Sequence, residues 1–209
     1  MRLWERLPGA GLAWIIAGIL WLWTFWACAG EWQNTEAYSY GFFVPLLAGY
    51  FFWRRWPELK PVLVSPAEAQ WAWSIMGLVV LLAAPIELLR QTPLYWRPIL
   101  WAMGFLAVGA TVAAAYLTGG RVAVRGLLFP AFFPLIGIPW PGQVEIGTTV
   151  ALQGWVAVAT GEVLNWLGVA AVVEGKTIRV ANCVLGVEEA CSGLQSLQSS
   201  LMVALAGGE

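Results

Sequence analysis

One cysteine stands where a short polar segment gives way to a helical pattern, in a chain that is otherwise apolar. Cys191 lies within residues 187–197, VEEACSGLQSL, and two glutamates stand two and three residues before it. The first turn of a helix offers unpaired backbone N–H groups and a partial positive charge, and both favour the thiolate over the thiol. Because the thiolate is the nucleophile, this segment predicts covalent chemistry at Cys191. The alternative is a buried structural thiol, since free Cys packs as a small apolar residue.

The neighbours of Cys191 have structural roles to weigh beside catalytic ones. Ser192 and Gln195 fit the S-x-x-Q capping box, which would fix the start of the helix and aim the thiol. Gly193 allows close approach of backbone or substrate, and its N–H could donate to a developing oxyanion. The two preceding glutamates suit a helix N-terminus, but they oppose thiolate formation by like-charge repulsion. A catalytic Cys191 therefore needs a nearby cation.

The composition indicates a membrane protein. Of the 209 residues, 60% are hydrophobic and 11% are charged, whereas a soluble domain carries about a quarter charged residues. Fifteen Trp and nine Phe suit side chains that gather at membrane interfaces. The chain has no His and no Asp, and its three cysteines lack CxxC spacing. The sequence therefore predicts no recognisable zinc or iron–sulfur site and no basic patch for nucleic acid.

Five apolar runs are candidates to cross the bilayer, which requires about 20 residues for a helix. The second run needs its flanks, from about residue 38 to 56, to cross. The runs are Leu12–Ala29, Gly41–Trp53, Trp71–Leu89, Pro98–Leu117 and Val122–Ile138.

The remainder of the chain has a different pattern. Residues 144–167 form a helix with a narrow polar stripe, which can lie in the interface or turn its stripe to a protein interior. Short β-like runs at 171–173 and 177–187 predict a hairpin outside the hydrocarbon. A last helix covers residues 192–206. The stripe of the first of these helices consists of Glu145, Thr149, Gln153 and Thr160.

These patterns predict an all-α polytopic membrane protein that forms a single domain over residues 1–209. We expect about six to seven membrane helices, one of which can be interfacial, and a small extracytoplasmic β-hairpin before the Cys-bearing helix. Basic residues favour a cytoplasmic N-terminus, because alternating the five spans places seven of the eleven on the inside. Those seven are Arg2, Arg6, Arg54, Arg55, Lys60, Arg121 and Arg125.

Four smaller predictions concern side chains outside the thiol segment. Glu87 and Arg90 are three residues apart and can pair on their helix. Residues 38–40, Tyr-Ser-Tyr, are expected to form a belt at the membrane interface. Cys183 is expected to be a packing residue, with a disulfide to Cys28 conceivable. In the last helix, one face is expected to line the protein interior, and its members are Gln195, Gln198, Ser199 and Met202.

Three ordered segments carry a family resemblance. Residues 189–194, EACSGL, resemble the nucleophile motif of the exosortase/archaeosortase family of membrane-embedded cysteine transpeptidases. Residues 38–45, YSYGFFVP, are similar to the family's early YSHGFLVP-type segment. Residues 128–134, LFPAFFP, running into the IPWP of 138–141, resemble its proline-marked span. The similarity covers most of the chain.

The resemblance implies a reaction at the plasma membrane, with the active site on its extracytoplasmic side. Family members act on exported proteins that carry a C-terminal sorting signal, made of a short motif, a hydrophobic helix and basic residues. Cys191 would attack the scissile peptide, form a thioester and pass the acyl group to an acceptor, thought to be a membrane lipid. The resemblance implies no metal, no organic cofactor and no nucleic-acid partner.

The chain also departs from the family pattern. The family site uses an Arg and a His from later membrane helices, and no Lys, Arg or His follows Cys191 here. Tyr40 and Gln195 stand where relatives often carry His and a basic residue. We therefore expect the N-terminal portion of a longer enzyme, incomplete at its C-terminus and inactive as it stands.

Two other classes of protein stay open at this point. A binding or scaffold protein could keep the fold and the Cys without catalysis. A transporter subunit would need charged residues deep in several spans, whereas Arg125 is nearly the only charged residue within the predicted spans.

Overall fold

The structure is a computed structural model that describes residues 9–58, 62, 64–92, 97–180, 183–187 and 194–208. The chain divides into two compact units, residues 1–139 and 140–209. The first unit consists of helices. The second combines two helices with a small sheet.

The first unit begins with an apolar helix and a tight turn back. Helix α1 covers Ala10–Asn34, a 3₁₀ helix covers Glu36–Phe43, and α2 covers Val44–Arg55. Pro45 lies in the first turn of α2, where its missing N–H costs no hydrogen bond. The predicted first span and the flanked second span are therefore both helical.

Helix α3, Pro66–Arg90, starts with a complete capping box. The Ser65 hydroxyl accepts from the Glu68 N–H at 3.3 Å, and the Glu68 carboxylate accepts from the Ser65 N–H at 3.1 Å. These two bonds satisfy backbone donors that a helix start leaves unpaired, which fixes where α3 begins. At its other end Arg90 pairs with Glu87 at 2.6 Å, as predicted.

Helix α4, Pro98–Phe132, folds back on itself at two glycines. Gly119 and Gly120 leave helical geometry, and Gly120 has φ of +60°, a conformation that a residue without a Cβ adopts readily. The second limb returns beside the first. The indole N–H of Trp101, in the first limb, donates to the carbonyl of Pro139, just after the second limb, at 2.9 Å. Gly104 likewise lies against Ile138. The two limbs correspond to the fourth and fifth predicted runs.

Tryptophan N–H groups link the helices of this unit. The indole of Trp14 donates to the Thr118 hydroxyl and that of Trp21 to the Thr111 hydroxyl, both at 3.0 Å. Trp23 donates to the Glu87 carboxylate at 3.0 Å. In hydrocarbon a polar group has no water to bind, so these pairs both satisfy the donors and set which helices touch.

These contacts define two ends of the helical unit. The arginine-rich end carries Arg54 and Arg55 at the end of α2, and Arg121 and Arg125 at the start of the second α4 limb. Trp14, Phe52 and Trp56 pack together there. The opposite end, which we call the Trp32 end, carries Arg90 and Arg97, and each of these pairs with a glutamate.

Three of the described helical stretches are long and apolar enough to cross a membrane: Ala10–Asn34, Pro66–Arg90 and Pro98–Gly137. The third contains the fold-back at Gly120. The all-α membrane fold is therefore confirmed, while the count of six to seven spans stays a prediction.

The second unit contains α5 (Gly142–Trp166), three short strands and α6 (Leu194–Gly207). The strands are β1 (Ala171–Glu174), β2 (Thr177–Val180) and β3 (Cys183–Gly186), antiparallel in the order β1-β2-β3. The predicted hairpin is confirmed for β1 and β2, which pair antiparallel across Gly175 and Lys176. The run 177–187 also contains a strand that was not predicted, because β3 pairs with β2, with Val180 opposite Cys183. The unbroken β-like composition of this run hid its division into two strands.

Candidate active-site segment

Cys191 itself lies outside the described residues, together with Ser192, Gly193 and the two glutamates before the thiol. The Gln195 side chain is also outside them. Nucleophile, capping-box and oxyanion assignments therefore stay predictions. What the structure describes is the frame on either side, residues 183–187 and helix α6.

The segment that leads to the thiol is held at Val187 by two hydrogen bonds. The Val187 N–H donates to the carbonyl of Lys176 at 2.9 Å. Its carbonyl accepts from the Gln153 amide of α5 at 3.1 Å. Gln153 is only 2% exposed and Val187 is half-buried, so this bond is partly shielded from competing water. The backbone four residues before Cys191 is thus fixed to both the β1–β2 turn and α5.

The polar stripe predicted on α5 is confirmed in part. Gln153 is buried and Glu145 and Thr149 are half-buried, but Thr160 is exposed. The inner face instead continues through Ala157 and Gly161. At Gly161 an added Cβ would lie 2.4 Å from Val173 of β1, so the sheet packs on this side of the helix. The contact face therefore rotates around α5 toward its C-terminal end, which a straight stripe does not anticipate.

The inward face predicted for α6 is confirmed for its described members. Gln198 is 2% exposed and Met202 is 8% exposed, while Ser199 is half-buried. Neither amide atom of Gln198 has a hydrogen-bond partner in the described part of the chain. A buried amide without a partner is costly, and within the described residues Gln198 is the one side chain with buried polar atoms that lack a partner.

The two described cysteines are both free. Cys28 is buried in α1, and the disulfide that was conceivable from it to Cys183 is not formed. Cys183 is exposed on β3, so its expected packing role was wrong. A four-residue strand at the edge of a small sheet leaves this side chain uncovered.

The tyrosine motif is buried, contrary to the expected interfacial belt. Tyr38 is fully buried and Tyr40 is 8% exposed, and the Tyr40 hydroxyl donates to the carbonyl of Ile136 at 3.0 Å. Ser39 alone is exposed, and it donates to the carbonyl of Glu36. The belt prediction failed because the 3₁₀ helix packs against α1 and the end of the α4 hairpin.

The glycine of this motif has a clear physical role. A Cβ on Gly41 would lie 2.3 Å from the indole nitrogen of Trp32. That indole N–H donates to the carbonyl of Gly137 at 2.7 Å. Only a residue without a side chain lets Trp32 cross this point and join α1 to the proline-marked segment.

An ion pair completes the Trp32 end and was missed by the sequence analysis. Arg97 binds Glu31 at 3.0 Å, with side chains 23% and 18% exposed. Its guanidinium also lies 5.6 Å from the centre of the Tyr38 ring. The signals available in the sequence were a charge just after the first apolar run and another just before the fourth, without anything to indicate that the two meet.

Metal-binding geometry is not visible in the parts of the chain that the structure describes. Within them, no group of three or more Cys or Glu side chains is placed to hold a metal ion.

The architecture defines an all-α membrane protein with a small sheet before its last helix. A family model described as transmembrane exosortase matches residues 32–208, which is well over half of the chain. The protein therefore belongs to the transmembrane exosortase family. No curated protein and no solved structure matches the chain.

Proposed function

We propose that this protein is an exosortase-type cysteine transpeptidase whose nucleophile is Cys191. Its substrates would be exported proteins with a C-terminal sorting signal, and its acceptor a membrane lipid. The observation that carries the proposal is the family match over residues 32–208, which includes the Cys191 motif. The two bonds that hold Val187 support it, because a nucleophile needs a fixed backbone.

The chemistry proceeds through two acyl transfers. The Cys191 thiolate adds to the scissile carbonyl, and the C–N bond breaks as the leaving amine takes up the proton that the thiol released on ionising, which leaves a thioester. A nucleophilic group of the acceptor then attacks the thioester and releases the thiolate. The Gly193 N–H is our candidate donor to the oxyanion. Because two glutamates precede the thiol, a cation must face it for the thiolate to predominate.

We propose that the arginine-rich end is cytoplasmic and that the chain lies in the plasma membrane. Four of the described arginines of the helical unit are at this end, whereas the two at the Trp32 end are each paired with Glu. Helix α5 is not among the three described stretches apolar enough to cross. If α5 lies along the outer face, Cys191 is extracytoplasmic, where sorting substrates arrive.

The test uses a peptide mimic of a sorting signal that carries a thiol-reactive group. One variant keeps only Cys191 (Cys28→Ser and Cys183→Ser). The matched variant keeps only Cys183, an exposed thiol on a strand. We expect the peptide to label Cys191 at least about tenfold faster than Cys183, because recognition of the sorting signal beside Cys191 raises the effective concentration of the reactive group there.

Equal labelling of the two thiols by the peptide would contradict the proposal and favour a non-catalytic scaffold. A small neutral thiol reagent serves as the control for simple exposure, because it has no sorting signal to recognise. The orientation has its own test. A topology reporter fused at Gly175, in the β1–β2 turn, should read as extracytoplasmic, and a cytoplasmic signal would contradict the assigned side.

A further inference from the structure

A groove runs between α3 and the first limb of α4, and one of its ends is charged. Its volume is about 450 Å³. Its walls include Trp71 and Ile75 from α3 and Val112 from α4. From Gly109 to Tyr116 it extends about 10 Å along the helix. Both helices are among those able to cross a membrane, so the apolar walls suit a hydrocarbon chain.

The charged end contains one carboxylate and one guanidinium. Glu68 accepts from the Ser65 hydroxyl at 2.7 Å and from the Tyr116 hydroxyl at 2.9 Å. These bonds fix the carboxylate at the start of α3. Arg121 lines the same end and attracts the Glu68 carboxylate electrostatically, but in the described part of the chain it makes no hydrogen bond or ion pair. Its five donors are therefore available to a ligand.

The apolar walls and the two charged groups together indicate the chemical class of the ligand. Hydrocarbon walls select an acyl chain, a guanidinium selects a phosphate, and a carboxylate selects a cation. We propose that the groove binds a phosphatidylethanolamine, with its phosphate on Arg121, its ammonium on Glu68 and an acyl chain along Trp71 and Val112. The proposal does not depend on Cys191.

Other head groups satisfy only part of this pattern. An anionic phosphatidylglycerol supplies the phosphate but nothing for Glu68, whose charge repels it. A phosphatidylcholine carries a quaternary ammonium that cannot donate a hydrogen bond to the carboxylate. The groove should therefore prefer phosphatidylethanolamine over both, because only a primary ammonium bonds to Glu68 while the phosphate occupies Arg121.

The experiment measures lipid retention by the delipidated chain in detergent, with native mass spectrometry. Phosphatidylethanolamine, phosphatidylglycerol and phosphatidylcholine of the same acyl length are added in turn. We expect Arg121→Gln to weaken phosphatidylethanolamine binding about fivefold, the loss typical of one interfacial cation. The matched control is Arg125→Gln, which removes an exposed cation one turn away that does not line the groove.

A second variant tests the ammonium. Glu68→Gln keeps a capping-box residue but removes the charge, so it should abolish the preference for phosphatidylethanolamine over phosphatidylglycerol. Equal losses in Arg121→Gln and Arg125→Gln would overturn the proposal. So would a wild-type chain that retains the three lipids equally or retains none, a result that needs no variant to fold.

Discussion

The two units of the molecule treat buried polar groups differently. In the helical unit, the buried tryptophans Trp21 and Trp32 each donate to an acceptor far along the chain, Thr111 and Gly137. In the second unit, Gln153 donates to backbone at Val187, while Gln198 is equally buried and has no partner in the described residues.

This difference indicates that the polar groups of the two units have different roles. Bonds between distant residues lock the helices of the first unit together, which suits a scaffold in lipid. In the second unit, Gln153 instead fixes the backbone before the thiol, and the Gln198 amide is unsatisfied within the part of the unit that the structure describes. Such groups concentrate where a protein accepts a stability cost for function.

The largest expected effect is at the Trp32 end. Gly41→Ala should lower the free energy of unfolding by about 3 kcal/mol, because the new methyl overlaps Trp32 and breaks its bond to Gly137. Unfolding in detergent, followed by circular dichroism, measures this. The control is Gly49→Ala in α2, which meets nothing within 4 Å. If the Gly41→Ala chain is as stable as the wild type, the hydrogen bond from Trp32 to Gly137 does not stabilise the helical unit.

The two buried glutamines provide the sharpest contrast. Gln153→Leu should destabilise the second unit by about 2 kcal/mol, because the Val187 carbonyl loses a buried donor. It should also slow the labelling of Cys191 severalfold while leaving that of Cys183 unchanged. Hydrogen exchange at the strands and thiol labelling measure the two effects.

Gln198→Leu should instead be neutral or stabilising by about 1 kcal/mol, because it removes a buried amide that has no partner among the described residues. If both substitutions destabilise the protein alike, the contrast between the two glutamines fails, and the Gln198 amide has a partner.

A substitution at Gly161 tests whether a packing defect in the second unit stays within that unit. Gly161→Ala should cost about 1.5 kcal/mol, since its methyl meets Val173 of β1. Unlike Gly41→Ala, it should increase hydrogen exchange in β1 and β2 only. Gly154→Ala, on the same helix with open space, is the control. Adding Val173→Ala to Gly161→Ala should recover the lost stability, because it removes the side chain that the new methyl meets. Exchange that also rises in α1–α4 would contradict a local effect.

The smallest effects separate two ion pairs. Arg97→Gln should cost about 1 kcal/mol, because Arg97 is partly buried, binds Glu31 and lies over Tyr38. Arg179→Gln should cost less than about 0.5 kcal/mol, because its pair with Glu174 leaves both side chains more than half exposed. Parallel denaturant titrations compare them. Equal costs would mean that burial does not distinguish the two pairs.

The helices were predictable and several of their contacts were not. All five apolar runs of the first unit are helical, and the break between 117 and 122 coincides with the fold-back at Gly119 and Gly120. The inward face of α6 also followed from helical spacing. By contrast, the burial of the tyrosine motif, the exposure of Cys183 and the split of the run 177–187 into two strands ran against their local patterns.

The sequence by itself determined the membrane class, the positions of the helices and the family motif around Cys191, because composition and periodicity are properties of a continuous segment. Only the tertiary structure decided that Trp32 crosses Gly41 to reach Gly137, and that Gln153 holds Val187. These pairs are 105 and 34 residues apart along the chain. Which distant groups meet depends on how whole elements pack, and that is where buried polar groups find their partners.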